Sequence, residues 1–421
     1  MASSTRELAA RSGPARLRHP ARHRRRTRHV WGPSLLLVLV LAAVALLVVR
    51  SNALGRDAPA VGGVTRTVVP GQSLVAALQA SAPGDVVVLR DGRYPRQRLD
   101  GLALPGVVLR GESREAVVVA GLSLEHVSGL TVSDMTVTNE PDSSQSAIHV
   151  SSSSRDLLFR HLTVAPQVFS GLDIWATTKR IALRDSTLDG SGVTGTRATD
   201  GTSRGVRVNG QPYDDLSGWP TDIVIAGNDI SGFGSDLVQI GGGTRVLVQD
   251  NDLHDPQAND DHNDGVQTYG SADLRIEGNR FSSSGPNGPD QAVMLQDQGQ
   301  VASLTVVRTT VVDNLVTSWR GTGINIAGTD GTTVSRNTVA RTGNADSPGS
   351  SIAISGSNPG LEIGRNVLDR IYATGAPGDQ HDNCVREGGS GPGLVTEDPG
   401  FADDASLRLR ASSPCHGRGR S

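Results

Sequence analysis

From about residue 107 one short pattern keeps returning: apolar, any residue, apolar, two residues, often asparagine, one residue, apolar. It runs through Leu130–Val137, Leu157–Val164, Ile181–Leu188, Ile223–Ile230, Val246–Leu253, Leu274–Phe281, more loosely Val311–Val316, then Val334–Val339 and Ile363–Leu368. Asn228, Asn251, Asn279, Asn314, Asn337 and Asn366 hold the same place in six copies, at separations of 23, 28, 35, 23 and 29 residues. A second short strand precedes most copies, as in Ile148-His149-Val150, Leu172-Asp173-Ile174, Val206-Arg207-Val208, Val238-Gln239-Ile240 and Val266-Gln267-Thr268.

A unit this small cannot bury its apolar face alone, but stacked copies can, so the period predicts a solenoid. Period-two alternation makes its elements strands. A recurring asparagine at a turn can stack as one hydrogen-bonded amide per coil. Leucine-rich repeats need a longer leucine consensus, and a β-sandwich would not space equivalent residues so constantly. The fold class expected is therefore all-β: a single-stranded parallel β-helix solenoid.

Residues 1–33 carry nine arginines and one glutamate, while the whole chain has a net charge of −3. The positive end is thus a tail and not a nucleic-acid-binding surface. It precedes an apolar run over residues 34–50, which with Val30 and Trp31 approaches the ~20 residues of a membrane-spanning helix. Arginines before the run predict a cytoplasmic tail and an exported remainder. A cleavable signal is the competing reading, with Ala58-Pro59-Ala60 as its site. The organisation expected is a tail over 1–33, an anchor or uncleaved signal over 34–50, a linker over 51–63 and one β-helix domain over 64–421. The chain would sit in the cell membrane with this domain outside, or be secreted if cut. Hydrophobic residues make up only 36% and aromatics 3%, which excludes a multi-pass membrane protein and a large aromatic core.

Three stretches resemble the right-handed parallel β-helix proteins of the pectin-lyase-like type. The Asn-marked coils are the first. The second is Ala82-Pro83-Gly84-Asp85 through Gly92-Arg93-Tyr94-Pro95, similar to the first coil of the chondroitinase B and alginate lyase group. The third is Asp398-Pro399-Gly400-Phe401 followed by Ser406-Leu407-Arg408-Leu409, similar to the closing segment of such proteins. The resemblance implies a right-handed solenoid with a helical N-terminal cap over residues 72–82. It says little about function, since the fold hosts lyases, hydrolases, epimerases and adhesins.

Chemistry is expected where aspartates crowd: residues 250–267 hold six aspartates and two histidines. Asp264 ends this loop on a strand, and the glycine after it allows close approach of a ligand. Asp236 and Gln239 align with Asp264 and Gln267 one coil away, ~4.8 Å along the solenoid. Two carboxylates at that spacing would pair an acid with a base. Asn263-Asp264-Gly265 resembles a shortened Asn-Thr-Asp motif of polygalacturonases, which carries over Asp264 and Asp290 as candidates. Gly321-Thr322-Gly323 departs from that family's Gly-His-Gly, which argues against true polygalacturonase activity.

The expected catalytic set is Asp264, Asp236, Asp290 and His262, with Gln239, Gln267, Asn325, Trp175 and Tyr269 binding sugar. Asp260 and Asp261 are candidate calcium ligands, and no His/Cys spacing matches a zinc site. Lys179 lies in a turn away from a groove, and His149 reads as structural. Asp173, Arg207 and Trp175 are the next group should Asp264 fail. Cys384 and Cys415, the only cysteines, are expected to pair outside the cell. The function expected is an extracytoplasmic enzyme cleaving a polysaccharide, hydrolase favoured over lyase because carboxylates outnumber groove cations. The alternative is a non-catalytic adhesin or glycan-binding scaffold. The partners are a glycan and, through residues 34–50, the membrane; the chain is expected to be a monomer.

Overall fold

A computed structural model describes residues 63–420 apart from 195–201, 211–215, 258–262, 284–290, 298–305, 320, 341–350 and 404–405. The tail and the expected membrane helix lie outside the described residues. Among the described residues no helix is long and apolar enough to cross a membrane.

The described chain forms 36 strands, and the ladders between them are parallel. Each coil contributes to three faces. The first face includes Arg155–Arg160, Lys179–Arg184 and Thr221–Ala226. The second includes Thr163–Val164, Thr187–Asp189 and Asp229–Ser231. The third includes Ile148–Ser151, Leu172–Trp175 and Val206–Asn209. The recurring sequence pattern is a first-face strand, a tight turn and a second-face strand; the short preceding strand is the third face.

Alternation sends every second side chain inward. On the third face Ile148, Leu172, Val206, Val238, Val266, Val293, Ile324 and Ile352 stand in register from coil to coil. All eight are fully buried in one core. Stacking like on like, mostly β-branched, fills most of the interior, with a few buried rings such as Phe159, Phe281 and Trp319 among the aliphatic columns.

The turn between the first two faces carries the asparagine stack. Asn228 Nδ2 donates to Asn251 Oδ1 at 2.9 Å, and the same bond recurs from Asn251 to Asn279, Asn314, Asn337 and Asn366. The stack extends one residue further than the sequence pattern showed, because Asn366 Nδ2 donates to Asn383 Oδ1 at 3.0 Å. Each acceptor oxygen also takes the backbone N–H of the preceding asparagine, as Asn251 Oδ1 does from Asn228 N at 2.9 Å. Polar groups buried at the turn are thereby satisfied.

The expected helical cap is corrected to a single short helix, α1 (Leu74–Gln79), six residues long. Ser73 caps it by accepting from Ala76 N at 3.1 Å, and Leu74 and Leu78, four apart, are buried in the core. The first coil is closed instead largely by side-chain bonds. Asp85 accepts from Val64 N at 2.7 Å, from Ala82 N at 2.8 Å and from Arg66. Tyr94 donates its hydroxyl to the Val68 and Arg90 carbonyls. At the other end Cys384 and Cys415 form a disulfide with Cα atoms 5.6 Å apart. Closing a loop of this length stabilises by ~3–4 kcal/mol in the chain-entropy model. Phe401 and Leu409 pair antiparallel there.

Candidate functional site

The outward positions of the third face form one continuous row. His149 is the register partner of Asp173, Asp173 of Arg207, Arg207 of Gln239, Gln239 of Gln267 and Gln267 of Met294, and Asn325 follows. Three residues before each strand position lies a second row, at the point where the chain enters the strand: Ser146, Ser170, Arg204, Asp236, Asp264 and Gln291. Backbone bonds join it coil to coil, from Gly171 N to Arg204 O, Gly205 N to Asp236 O, Leu237 N to Asp264 O and Gly265 N to Gln291 O.

The expected carboxylate pair is adjacent, as the alignment required, but it does not face a groove. Asp236 and Asp264 have no exposed surface. Asp264 Oδ1 accepts from Gln291 N at 2.7 Å and its Oδ2 from Gln267 Nε2 at 3.1 Å. Asp236 Oδ2 accepts from Gln239 Nε2 at 2.7 Å, and its Oδ1 accepts from Asp264 N at 3.3 Å. Gln239 Nε2 also donates to Gln267 Oε1 at 2.9 Å. The two glutamine amides expected to hold sugar hydroxyls are thus engaged in a buried network. Gly265 likewise makes room for protein: a Cβ there would sit 2.5 Å from the Ala292 carbonyl oxygen and against the Phe281 ring.

Asn325 is half-buried on the same row, beyond Met294. Tyr269 is the extra residue where Ile240 pairs with Thr268 but Gly241 with Gly270. Its ring lies over Gly241, where a Cβ would meet the hydroxyl. The bulge re-aims the phenol toward the neighbouring coil. Asp290 and His262 lie outside the described residues, as do Asp260 and Asp261. No group of three or more His, Cys, Asp or Glu able to hold a metal occurs among the described residues.

The open site lies three coils nearer the N terminus than Asp264. A cleft of about 320 Å³ is lined by His149, Asp173, Trp175, Arg204 and Arg207, with Gln145, Ser146 and Phe169 at its edge. Ser146 Oγ donates to Asp173 Oδ2 at 2.7 Å, while Asp173 Oδ1 is buried without a hydrogen-bond partner. Trp175 Nε1, Arg204 Nε and Arg207 Nε are buried and unpartnered as well. The Trp175 ring is 5.8 Å from the His149 ring and tilted 54° to it. The Arg207 guanidinium carbon lies 5.8 Å from its centroid on the coil beyond. Burial holds the His149 imidazole below its usual 6.5, against the opposing pull of Asp173 and Glu125. Burial also lowers the Arg204 pKa, against the favourable field of Asp236.

Buried donors and acceptors left unpaired are costly, so four of them around one cleft point to a polar ligand that satisfies them. Trp175, expected to bind sugar, is here brought together with Asp173 and Arg207. Arg204 was not singled out by the sequence, and His149, read there as structural, lines the same cleft. His149 holds the same strand position as Asp173 and Arg207. Arg204 stands three residues before Arg207, as Asp236 stands before Gln239. Both were accessible to the alignment that found Asp236, carried one or more coils further.

Residues 170–377 match the family model described as "Right handed beta helix region". The structure is similar to the catalytic unit of a thermostable GH87 α-1,3-glucanase from Streptomyces thermodiastaticus. The two are 16% identical over 80% of this chain and 69% of that one, with a TM-score of 0.53. It is also similar to PfbA, a surface adhesin of Streptococcus pneumoniae, at 13% identity over 76% of this chain and 83% of that one, with a TM-score of 0.51. No curated protein matches the sequence. At these identities the likenesses concern the fold, and with the parallel ladders and the match over residues 170–377 they identify the fold as a right-handed parallel β-helix.

Proposed function

We propose that the chain is an extracytoplasmic carbohydrate-active enzyme that cleaves an acidic polysaccharide at the His149–Asp173–Arg207 cleft. The observation that carries this reading is the set of unpartnered buried polar atoms around Trp175. A sugar chain presents an apolar ring face for Trp175 and polar edges for the orphaned groups. Two arginines with free Nε–H groups suit a carboxylate, which accepts two parallel N–H bonds from a guanidinium.

The expectation of hydrolysis rests on carboxylates outnumbering groove cations, and two of those carboxylates, Asp236 and Asp264, are sealed from solvent. The groups that reach the cleft favour elimination. Arg204 and Arg207 would neutralise the uronate carboxylate and so acidify the adjacent C5–H. His149, neutral at pH 7 because burial lowers its pKa, would take that proton. The electron pair forms the C4=C5 double bond as the C4–O bond breaks, and water protonates the leaving oxygen. A general base of this kind contributes ~10²–10⁴ in rate.

Placement outside the cell is part of the proposal. It is supported by the arginine-rich tail before an apolar run and by the Cys384–Cys415 disulfide, a bond of oxidising compartments. The test is to incubate the purified chain with polygalacturonate, alginate and a neutral glucan, reading both reducing ends and ultraviolet absorbance. Unsaturated products from an acidic polymer are expected. Tight binding without any product would favour the non-catalytic glycan-binding scaffold instead.

A further inference from the structure

We infer that Asp236 is the positioning residue of the cleft: it fixes Arg204 where an acidic sugar meets it. The inference rests on the proposed glycan site, but it concerns a contact within the protein. Arg204 and Asp236 occupy the same entry position on successive coils, with Gly205 N bonded to Asp236 O. Asp236 Oδ2 lies 4.0 Å from Arg204 Nε, at the limit of an ion pair, and the two side chains are 0% and 16% exposed.

Arg204 needs such a partner. It is largely buried, its Nε makes no hydrogen bond, and Arg207 on the adjoining strand repels it. A buried guanidinium cannot shed its proton, so without compensation it moves toward water. The Asp236 carboxylate supplies the opposing field and cannot itself move. Its Oδ2 is held by Gln239, Gln239 by Gln267, and Gln267 by Asp264, while the Asp264 backbone N–H holds its Oδ1. Asp264, Gln267, Gln239, Asp236 and Arg204 thus form one fixed line from the sealed coils into the open cleft. Such a line keeps a guanidinium pre-set for its ligand, which lowers the ordering cost of binding.

The experiment compares the full chain with Asp236→Asn, Arg204→Gln, the double variant and Gln239→Met. The first readout needs no ligand: the rate at which an arginine-specific dicarbonyl labels Arg204, located by peptide mass spectrometry, with Arg207 as internal reference. Asp236→Asn is expected to raise Arg204 labelling at least fivefold relative to Arg207. Should Asp236→Asn fail to fold, Gln239→Met removes the tether and is expected to raise labelling in the same direction. Unchanged labelling, or an equal rise at both arginines, would overturn the inference. The second readout is affinity for polygalacturonate oligosaccharides. Asp236→Asn is expected to weaken it about tenfold in the wild-type background and to have no further effect on Arg204→Gln. Equal losses in both backgrounds would mean general loosening and would also overturn it. If the unaltered chain binds no acidic oligosaccharide, the proposed function fails while the labelling result still decides the role of Asp236.

Discussion

The guanidinium of Arg207 lies 5.8 Å from the centre of the Trp175 ring, one coil away on the same face. A cation at that distance from an indole is attracted by the ring's negative face. The contact leaves Arg207 Nε buried and unpartnered at the cleft. Trp175→Ala should release the guanidinium and remove a sugar-stacking surface together. Titration with polygalacturonate oligosaccharides should show binding weakened about tenfold, the equivalent of ~1.4 kcal/mol. The thermal midpoint should hardly move, since the ring is half-buried and outside the core.

Asp264 gives the opposite expectation. Its two oxygens hold the Gln291 N–H and the Gln267 amide, and nothing of it is exposed. Asp264→Asn sets an amide N–H against the Gln267 donor. A cost of ~1–3 kcal/mol is expected from the unsatisfied buried group. Urea unfolding should register it. Turnover by the folded fraction should fall by no more than about tenfold, through the loosened Gln267–Gln239–Asp236 line, and a loss of a hundredfold or more in folded protein would return Asp264 to the catalytic centre.

His149 should set the acid limb of the pH profile. Its pKa is held below 6.5 by burial, so it is unprotonated and able to accept a proton at neutral pH. Activity should therefore persist from pH 7 down past 6.5 and fall only when the imidazole protonates. His149→Gln should lower turnover by ~10²–10⁴ and abolish that limb. A profile whose acid limb survives the substitution would place the base elsewhere.

Asp85 should contribute to acid stability. Its pKa is lowered by the N–H groups of Ala82 and Val64 and by Arg66, against the opposing effect of burial. A carboxylate with a lowered folded pKa stabilises above its unfolded value near 3.8, and that contribution is lost as pH falls through the lower folded value. Wild type should exceed Asp85→Asn in urea midpoint at pH 7, and the gap should narrow in strong acid. A gap independent of pH would show that charge at this position is unimportant.

Much of the fold was legible because a solenoid writes its register into the sequence. Asn228 through Asn366 sit at one turn because each amide must meet the next, and the aliphatic columns follow from that register. Asn383 escaped notice because its coil is only 17 residues long. The helical cap was over-read, since side-chain bonds at Asp85 and Tyr94 tie together the first coil that a longer helix would otherwise cover. The site was less legible. Sequence shows that Asp236 and Asp264 share a face, but not that their carboxylates turn inward to bond Gln239 and Gln267. Nor does it show that single buried atoms of Asp173, Arg204 and Arg207 are left unbonded at the cleft. Burial and hydrogen-bond satisfaction are properties of the packed coils, and they direct the proposal to the cleft nearer the N terminus.

Cleavage of an acidic polysaccharide by proton abstraction is proposed for the cleft around Trp175. The most direct measurement follows ultraviolet absorbance of unsaturated ends from polygalacturonate and alginate, with wild type and His149→Gln side by side. The account predicts that wild type generates unsaturated ends from at least one acidic polymer and none from a neutral glucan. His149→Gln, folded to the same thermal midpoint, should lose at least a hundredfold of that rate. Cleavage of the neutral glucan with new reducing ends and no unsaturation, undiminished in His149→Gln, would contradict it.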